Sequence, residues 1–246
     1  MTDPARRSSP LAPIGPSLFH AETLLNMPGG MKLPARMTVM KLADGSLALH
    51  SPIRIDNGLA TELEALGPVR YLIAPNRFHH LFAGKAHERW PDAALYAAPG
   101  VAEKRRDLRI ADTIGDSLPR PLAGELDACV MGGSARMSEV VFFHRPSGAL
   151  IATDFVFNIE KPEGFVLNLF TGMMGTRGKF AQSRMVRMVT NDRAANKASA
   201  ERMLEWPIER VVMAHGGVVE DDAKRRLRSA IWWSLGEKPA RAAARS

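Results

Sequence analysis

A single cysteine, Cys129, in 246 residues excludes an internal disulfide framework and any multi-cysteine zinc or iron–sulfur site. It sits inside the apolar run Ala128-Cys129-Val130 and reads as a core thiol rather than a nucleophile. No apolar run approaches the 18 or more residues of a membrane span. The chain has no GxGxxG, P-loop, HExxH or GxSxG pattern, so the common nucleotide, zincin and serine-hydrolase signatures are missing. Aromatics are sparse at 7%, and none is interleaved with the basic runs Lys104-Arg105-Arg106, Lys224-Arg225-Arg226 and Arg241 to Arg245. The net charge of +7 therefore reads as a solvated surface, because single-stranded nucleic acid wants stacking platforms beside its cations. Arg6-Arg7 is followed by Ser8-Ser9-Pro10 instead of an apolar segment. No signal peptide is read, and the cytoplasm is the default expectation.

What is present is ordinary globular material: 46% hydrophobic and 24% charged residues, enough to bury a sizeable core. Residues 1–17, rich in Pro, Ser and Ala, are expected to form a mobile arm. Residues 18–236 read as one domain without repeats, and 237–246 as a basic tail. Met37 to Leu42 and Ser46 to His50 flank Ala43-Asp44-Gly45, a strong hairpin signal. Asp56 or Asn57 can cap a helix to Leu66, ended by Gly67-Pro68. Further helices are expected from about His80 to Arg89, Pro99 to Leu108, Phe180 to Val189, Arg193 to Leu204 and Glu220 to Leu235. The last of these puts Leu227, Ile231 and Trp232 on one face. Strands are expected at Val69 to Ile73, Ala94 to Ala97, Leu122 to Met131, Val140 to His144, Ala149 to Thr153 and Arg210 to Met213. Gly172 to Gly178 reads as a Gly- and Met-rich loop. Strands and helices alternate loosely, which indicates mixed α/β with a partly antiparallel sheet.

Three loops carry the chemistry, each after a strand-like run: Ala74-Pro75-Asn76-Arg77-Phe78-His79-His80, Thr153-Asp154 and Met213-Ala214-His215-Gly216. Converging His nitrogens and carboxylate oxygens are what zinc and related metals need. Adjacent residues on a strand point to opposite faces, so His79 and His80 can share a metal only at a turn, which Pro75-Asn76 favours. Against this stands a plain reading. A single His after a strand is usually a satisfied polar group, and Thr153-Asp154 is also cap chemistry. His144 ends a strand beside a turn and is a candidate second-layer donor. His20, His50 and His87 read as structural or exposed. Asp92, Asp127 and Glu139 lie near turns without evident partners.

The strand order and these loops resemble the metallo-β-lactamase superfamily. More closely, the chain resembles a family within that fold known as a domain of unknown function, DUF4336. The resemblance covers about Ser17 to Trp233. It rests on Arg36-Met37-Thr38-Val39, Gly45-Ser46-Leu47-Ala48-Leu49-His50-Ser51-Pro52, the Ala74-to-His80 loop, Val141-Phe142-Phe143-His144, Thr153 to Ile159, and Ala214-His215-Gly216. It implies an αββα sandwich of two mixed sheets flanked by helices, with a metal site at one edge.

The superfamily pattern T-H-x-H-x-D-H falls on Ala74 to His80, so its two early histidines become Pro75 and Arg77, and its Asp becomes His79. The last His is retained as His80, the bridging Asp as Asp154 and the final His as His215. The loop Gly132-Gly133-Ser134 lacks the remaining His. The resemblance thus implies a first metal position without its ligands. It also implies a second held by His79, His80, Asp154 and His215: one divalent ion, zinc first, with iron or manganese as alternatives. Asp154, His80 and His215 are the expected catalytic set, and Arg77 and His144 the expected substrate-binding residues, Arg77 for an anionic group. The function implied is a mononuclear metal-dependent hydrolase acting on a small molecule, with redox chemistry at iron as a further enzyme option. The rivals are a metal-free binding or scaffold descendant of the fold and, last, a nucleic-acid binder.

Overall fold

The computed structural model describes residues 8–239. One sheet contains β1 (Ala12–Gly15), β2 (Leu18–Met27), β3 (Met31–Lys41), β4 (Leu47–His50), β5 (Val69–Ala74), β6 (Ala94–Ala97) and β7 (Asp112–Thr113), each beside the next. Strands β1 to β4 are antiparallel and β4 to β7 parallel. The expected hairpin joins β3 to β4. Gly45 takes φ +82°, and the Asp44 carboxylate accepts from the Ser46 backbone N–H at 2.9 Å, which fits an Asp-Gly turn. The second sheet has the order β11 (Arg210–Met213), β10 (Ala149–Ala152), β9 (Val140–His144), β8 (Leu126–Val130).

Period-two alternation sorts the second sheet between two cores. Val140, Phe142, Ile151 and Val212 enter the interior shared with the first sheet. Their neighbours Val141, Phe143, Leu150 and Met213 enter a separate cluster. Helices close both outer sides. From α1 (Asn57–Leu66), α2 (Ala83–Arg89) and α3 (Val101–Lys104), the residues Leu59, Leu63, Ala83, Ala86 and Val101 join the first cluster. A short α4 (Arg120–Ala123) leads into β8, and α5 (Phe165–Met174) follows β10. From α6 (Arg184–Val189), α7 (Arg193–Met203) and α8 (Ala223–Ala230), Val186, Met203 and Leu227 fill the second cluster. The result is the expected αββα sandwich. Among the described residues no helix is long and apolar enough to cross a membrane.

Several boundaries differ from expectation. The supposed arm is strand from Ala12, because Leu11 and Ile14 pack on the core and the Ser9 N–H bonds the Glu22 carbonyl at 2.7 Å. Residues 1–7 and the basic tail at Arg241 to Arg245 lie outside the described residues. The helix expected from His80 begins only at Ala83, since 79–82 are used in a turn. The basic helix expected to Leu108 stops at Lys104, and the strand expected from Leu122 begins at Leu126, after α4. The helix α5 covers part of the stretch read as loop. Its apolar residues lie on both faces, Leu167 buried and Phe165 81% exposed, so no helical stripe marks it in the sequence.

Two histidines are buried as polar components of this core. His50 and His144 are 1% and 0% exposed, and neither ring Nε2 has a hydrogen-bond partner among the described residues. Burial lowers His50 to about 3 and His144 to about 4, with the His79 charge a lesser cause for His50. Because both folded values lie below the unfolded one, their stabilising effect is complete above pH 6.5 and lost as pH falls toward 4. The urea midpoint should therefore drop steeply between pH 6.5 and 4.5. His144→Leu should reduce that slope by up to about 1.4 kcal/mol per pH unit; an unchanged slope would assign the acid sensitivity elsewhere.

Candidate metal centre

At the end of β5, Asn76 is fully buried and shapes the loop that follows. Its Oδ1 accepts from the backbone N–H groups of Phe78 and His79, both at 2.7 Å, which turns the chain back on itself. Its Nδ2 donates to Asp154 Oδ2 and to Thr153 Oγ1, both at 2.8 Å. One side chain thus forms the His79 turn and ties it to the loop after β10. Glu139, also fully buried, supports the same loop: its carboxylate accepts from the N–H groups of Thr153 at 2.7 Å and Asp154 at 2.9 Å.

The third loop follows β11. His215 Nδ1 lies 2.7 Å from the Pro34 carbonyl, so Nδ1 carries a proton and donates. The ring stacks on Phe157 at 4.9 Å between centroids. Gly216, at φ +104°, passes so close to Asn158 that an added Cβ would stand 2.1 Å from its carbonyl oxygen. Only glycine fits there.

These loops bring His79, Asp154 and His215 together. His79 Nε2 lies 3.1 Å from His215 Nε2 and 3.4 Å from Asp154 Oδ2; His215 Nε2 lies 3.4 Å from Asp154 Oδ1. His79 Nδ1 is 2.7 Å from the Ser51 hydroxyl, which fixes the ring. Burial by itself would raise the Asp154 carboxyl, but the charges and hydrogen bonds of His79 and His215 hold it far below the usual carboxylate range. Glu139 moves the other way: burial raises it, and the Asp154 charge adds to the effect. Asp154 is therefore the anion of the pair.

The donor set fits a metal ion. A tetrahedral ion with bonds of about 2.0–2.1 Å separates its ligand atoms by about 3.3–3.4 Å. Here the two Nε2 atoms are 3.1 Å apart, and each lies 3.4 Å from a different oxygen of the Asp154 carboxylate, His79 from Oδ2 and His215 from Oδ1. Each histidine also has a partner behind it at Nδ1, the arrangement metal-ligating histidines use.

Other sequence candidates stand apart. His80, the fourth expected ligand, is 4% exposed and is not grouped with the other three. The Arg105 guanidinium donates to its Nδ1 at 3.0 Å and to its carbonyl at 3.2 Å, and its Nε2 is buried without a hydrogen-bond partner among the described residues. Burial, then the charges of Lys104 and Arg105, lower its pKa. Arg77 does not reach the cluster either. Its side chain lies against Gly100 and donates to the Ala135 carbonyl at 3.1 Å. His144 bonds Ser147 at 2.7 Å, at the opposite end of β9 from Glu139, so it backs neither the ligands nor a substrate beside them.

The sequence pattern does not mark Asn76, Glu139 or Ser51 as site residues; for Asn76 it shows only a turn. Nothing local marks Glu139, whose partners lie 14 and 15 residues away in sequence.

The architecture and this site define a protein of the metallo-β-lactamase fold. FIM-1 metallo-β-lactamase from Pseudomonas aeruginosa in its mono-zinc form is 14% identical, with a TM-score of 0.63 over 94% of this chain and 99% of that one. DIM-1 metallo-β-lactamase exposed to ceftazidime is 15% identical, at 0.62 over 89% and 94%. The metallo-β-lactamase from Pontibacter korlensis is 13% identical, at 0.63 over 93% and 99%. Within that fold, residues 22–204 match the family described as Domain of unknown function (DUF4336), and the chain belongs to that family. No curated protein matches it by sequence.

Asn76→Ala would leave two loop N–H groups without their acceptor and Asp154 without its buried donor. It should cost about 2–4 kcal/mol in urea unfolding. A loss under about 1 kcal/mol would mean that another group takes over these bonds.

Proposed function

We propose that the protein is a metal-dependent hydrolase of a small molecule, using one divalent ion held by His79, Asp154 and His215. The observation that carries this is the approach of the two Nε2 atoms to each other and to the Asp154 carboxylate, together with the Ser51 and Pro34 contacts that orient the rings. Two nitrogens and one carboxylate oxygen suit zinc, with iron or manganese as alternatives. Three protein ligands also leave a coordination position open, as catalytic sites do. The mono-zinc form of FIM-1 is a precedent for one ion in this fold. Pro75 and Arg77, standing where the superfamily has histidines, support one ion rather than two.

When bound, such an ion makes water more acidic and polarises a carbonyl. The chain's own groups do the rest. Asp154 keeps its negative charge at neutral pH through His79 and His215. Asn76 and Glu139 hold the Asp154 loop, so its carboxylate faces the two imidazoles without reorganisation. His215 is fixed in one tautomer by the Pro34 carbonyl.

A metal-free binding protein is the second reading. In its favour, the 3.1 Å contact between the two Nε2 atoms also suits a direct His79–His215 hydrogen bond.

Elemental analysis of protein purified without a metal-affinity column separates the two. About one ion per chain is expected in the wild type and in His80→Ala, with at least tenfold less in Asp154→Ala and His215→Ala. Chelation should abolish ester hydrolysis, and zinc or manganese should restore it. Wild type without an ion, and insensitive to chelators, would establish the metal-free reading.

A further inference from the structure

Above the three ligands lies a cavity of about 190 Å³, with His79, Asp154 and His215 on its lining. Its walls are apolar: Met27, Leu33, Ile53, Phe157, Phe170 and Met185 surround the ligands. The Ser51 hydroxyl, the other polar group on the lining, is already paired with His79. Among the described residues no Lys or Arg lines the cavity. Arg77 is held on the Ala135 carbonyl, and Lys104 is bonded to the Arg77 carbonyl at 2.6 Å. The apolar character continues outward. Phe78 and Leu81 line the cavity while 40% and 58% exposed. Helix α5, which supplies Phe170 to the wall, exposes Phe165, Leu169 and Met173.

An apolar cavity of about 150 Å³ lined by such residues stays dry and holds a benzene ring. A charged group placed among these walls, away from His79, Asp154 and His215, would lose its hydration and meet no Lys or Arg. An uncharged chain or ring would gain the burial of its apolar surface. We propose that the cavity selects an uncharged ester or lactone carrying an apolar chain or ring. The chain lies among Met27, Phe157, Phe170 and Met185, and the carbonyl is placed at the three ligands. In hydrolysis the oxygen of water bonds the acyl carbon and the acyl–alkoxy bond breaks. The alkoxy oxygen takes a proton from that water, leaving an acid and an alcohol. At neutral pH the acid ionises, and among the described residues the lining offers its carboxylate no Lys or Arg.

This inference rests on the hydrolase reading for its reaction but not for its binding preference, so the test has two arms. In the first, N-phenyl-1-naphthylamine fluorescence reports binding to the cavity and is competed with 1-hexanol or with hexanoate. Hexanol should compete at least tenfold better than hexanoate, and Phe170→Lys and Met185→Lys, each checked for wild-type circular dichroism, should each weaken the probe tenfold. In the second, kcat/KM for p-nitrophenyl esters from acetate to hexanoate should rise about fourfold per buried methylene. Probe binding with no hydrolysis would overturn the hydrolase reading and leave the apolar selectivity standing. Hydrolysis that does not rise with chain length would overturn the inference and keep the hydrolase reading. Equal competition by hexanoate, no probe binding to wild type, or folded variants that bind normally would also overturn it.

Discussion

An aspartate only 5% exposed to solvent must be compensated from within the protein, and the centre is arranged around that requirement. Asp154 receives a hydrogen bond from Asn76 at one oxygen and faces both imidazoles. Its own backbone N–H is bound to Glu139, and Glu139 is in turn disfavoured as an anion by burial and by Asp154. Two buried carboxyl groups so close cannot both carry full charge cheaply. The histidines settle which one does. An ion at the three ligands would complete the same compensation, so the metal-free and metal-bound readings share one scaffold.

The sheets supply the convergence. Strand β5 ends at the Asn76 turn, and β10 and β11, which run parallel, end side by side at Asp154 and His215. Each ligand therefore sits just past a hydrogen-bonded strand, where the backbone is fixed but the side chain is free of the core. Gly216 lets the last loop approach Asn158 closely enough to seat His215 against Phe157. The opposite end of the second sheet holds His144, whose ring is buried with Ser147 and takes no part.

Arg105 has a role that its neighbours in the chain obscure. In the sequence it belongs to a basic run that reads as surface charge. In the fold it bonds His80 Nδ1 while pairing with Asp107. Of the four residues in the superfamily pattern, His80 is thus the one bonded to a guanidinium from α3's C-terminal end. Arg77 is likewise engaged elsewhere, on Ala135. With both cations committed, the cavity beside the ligands is left apolar.

The sequence by itself determined the elements whose signals are local. These are the Asp-Gly hairpin, the Asp56-capped helix, the apolar strands and the three loops after them. The motif resemblance then pointed to the sandwich and to His79, His80, Asp154 and His215. It could not tell that His80 stands apart from the other three, because its partner, Arg105, lies 25 residues further along the chain. Nor could it identify Glu139, whose hydrogen bonds close only when β9 and β10 pair. Helix α5 escaped because apolar residues on both of its faces erase the 3.6-residue stripe. Periodicity records which face of an element is buried; which buried groups meet is decided only when distant strands come into register.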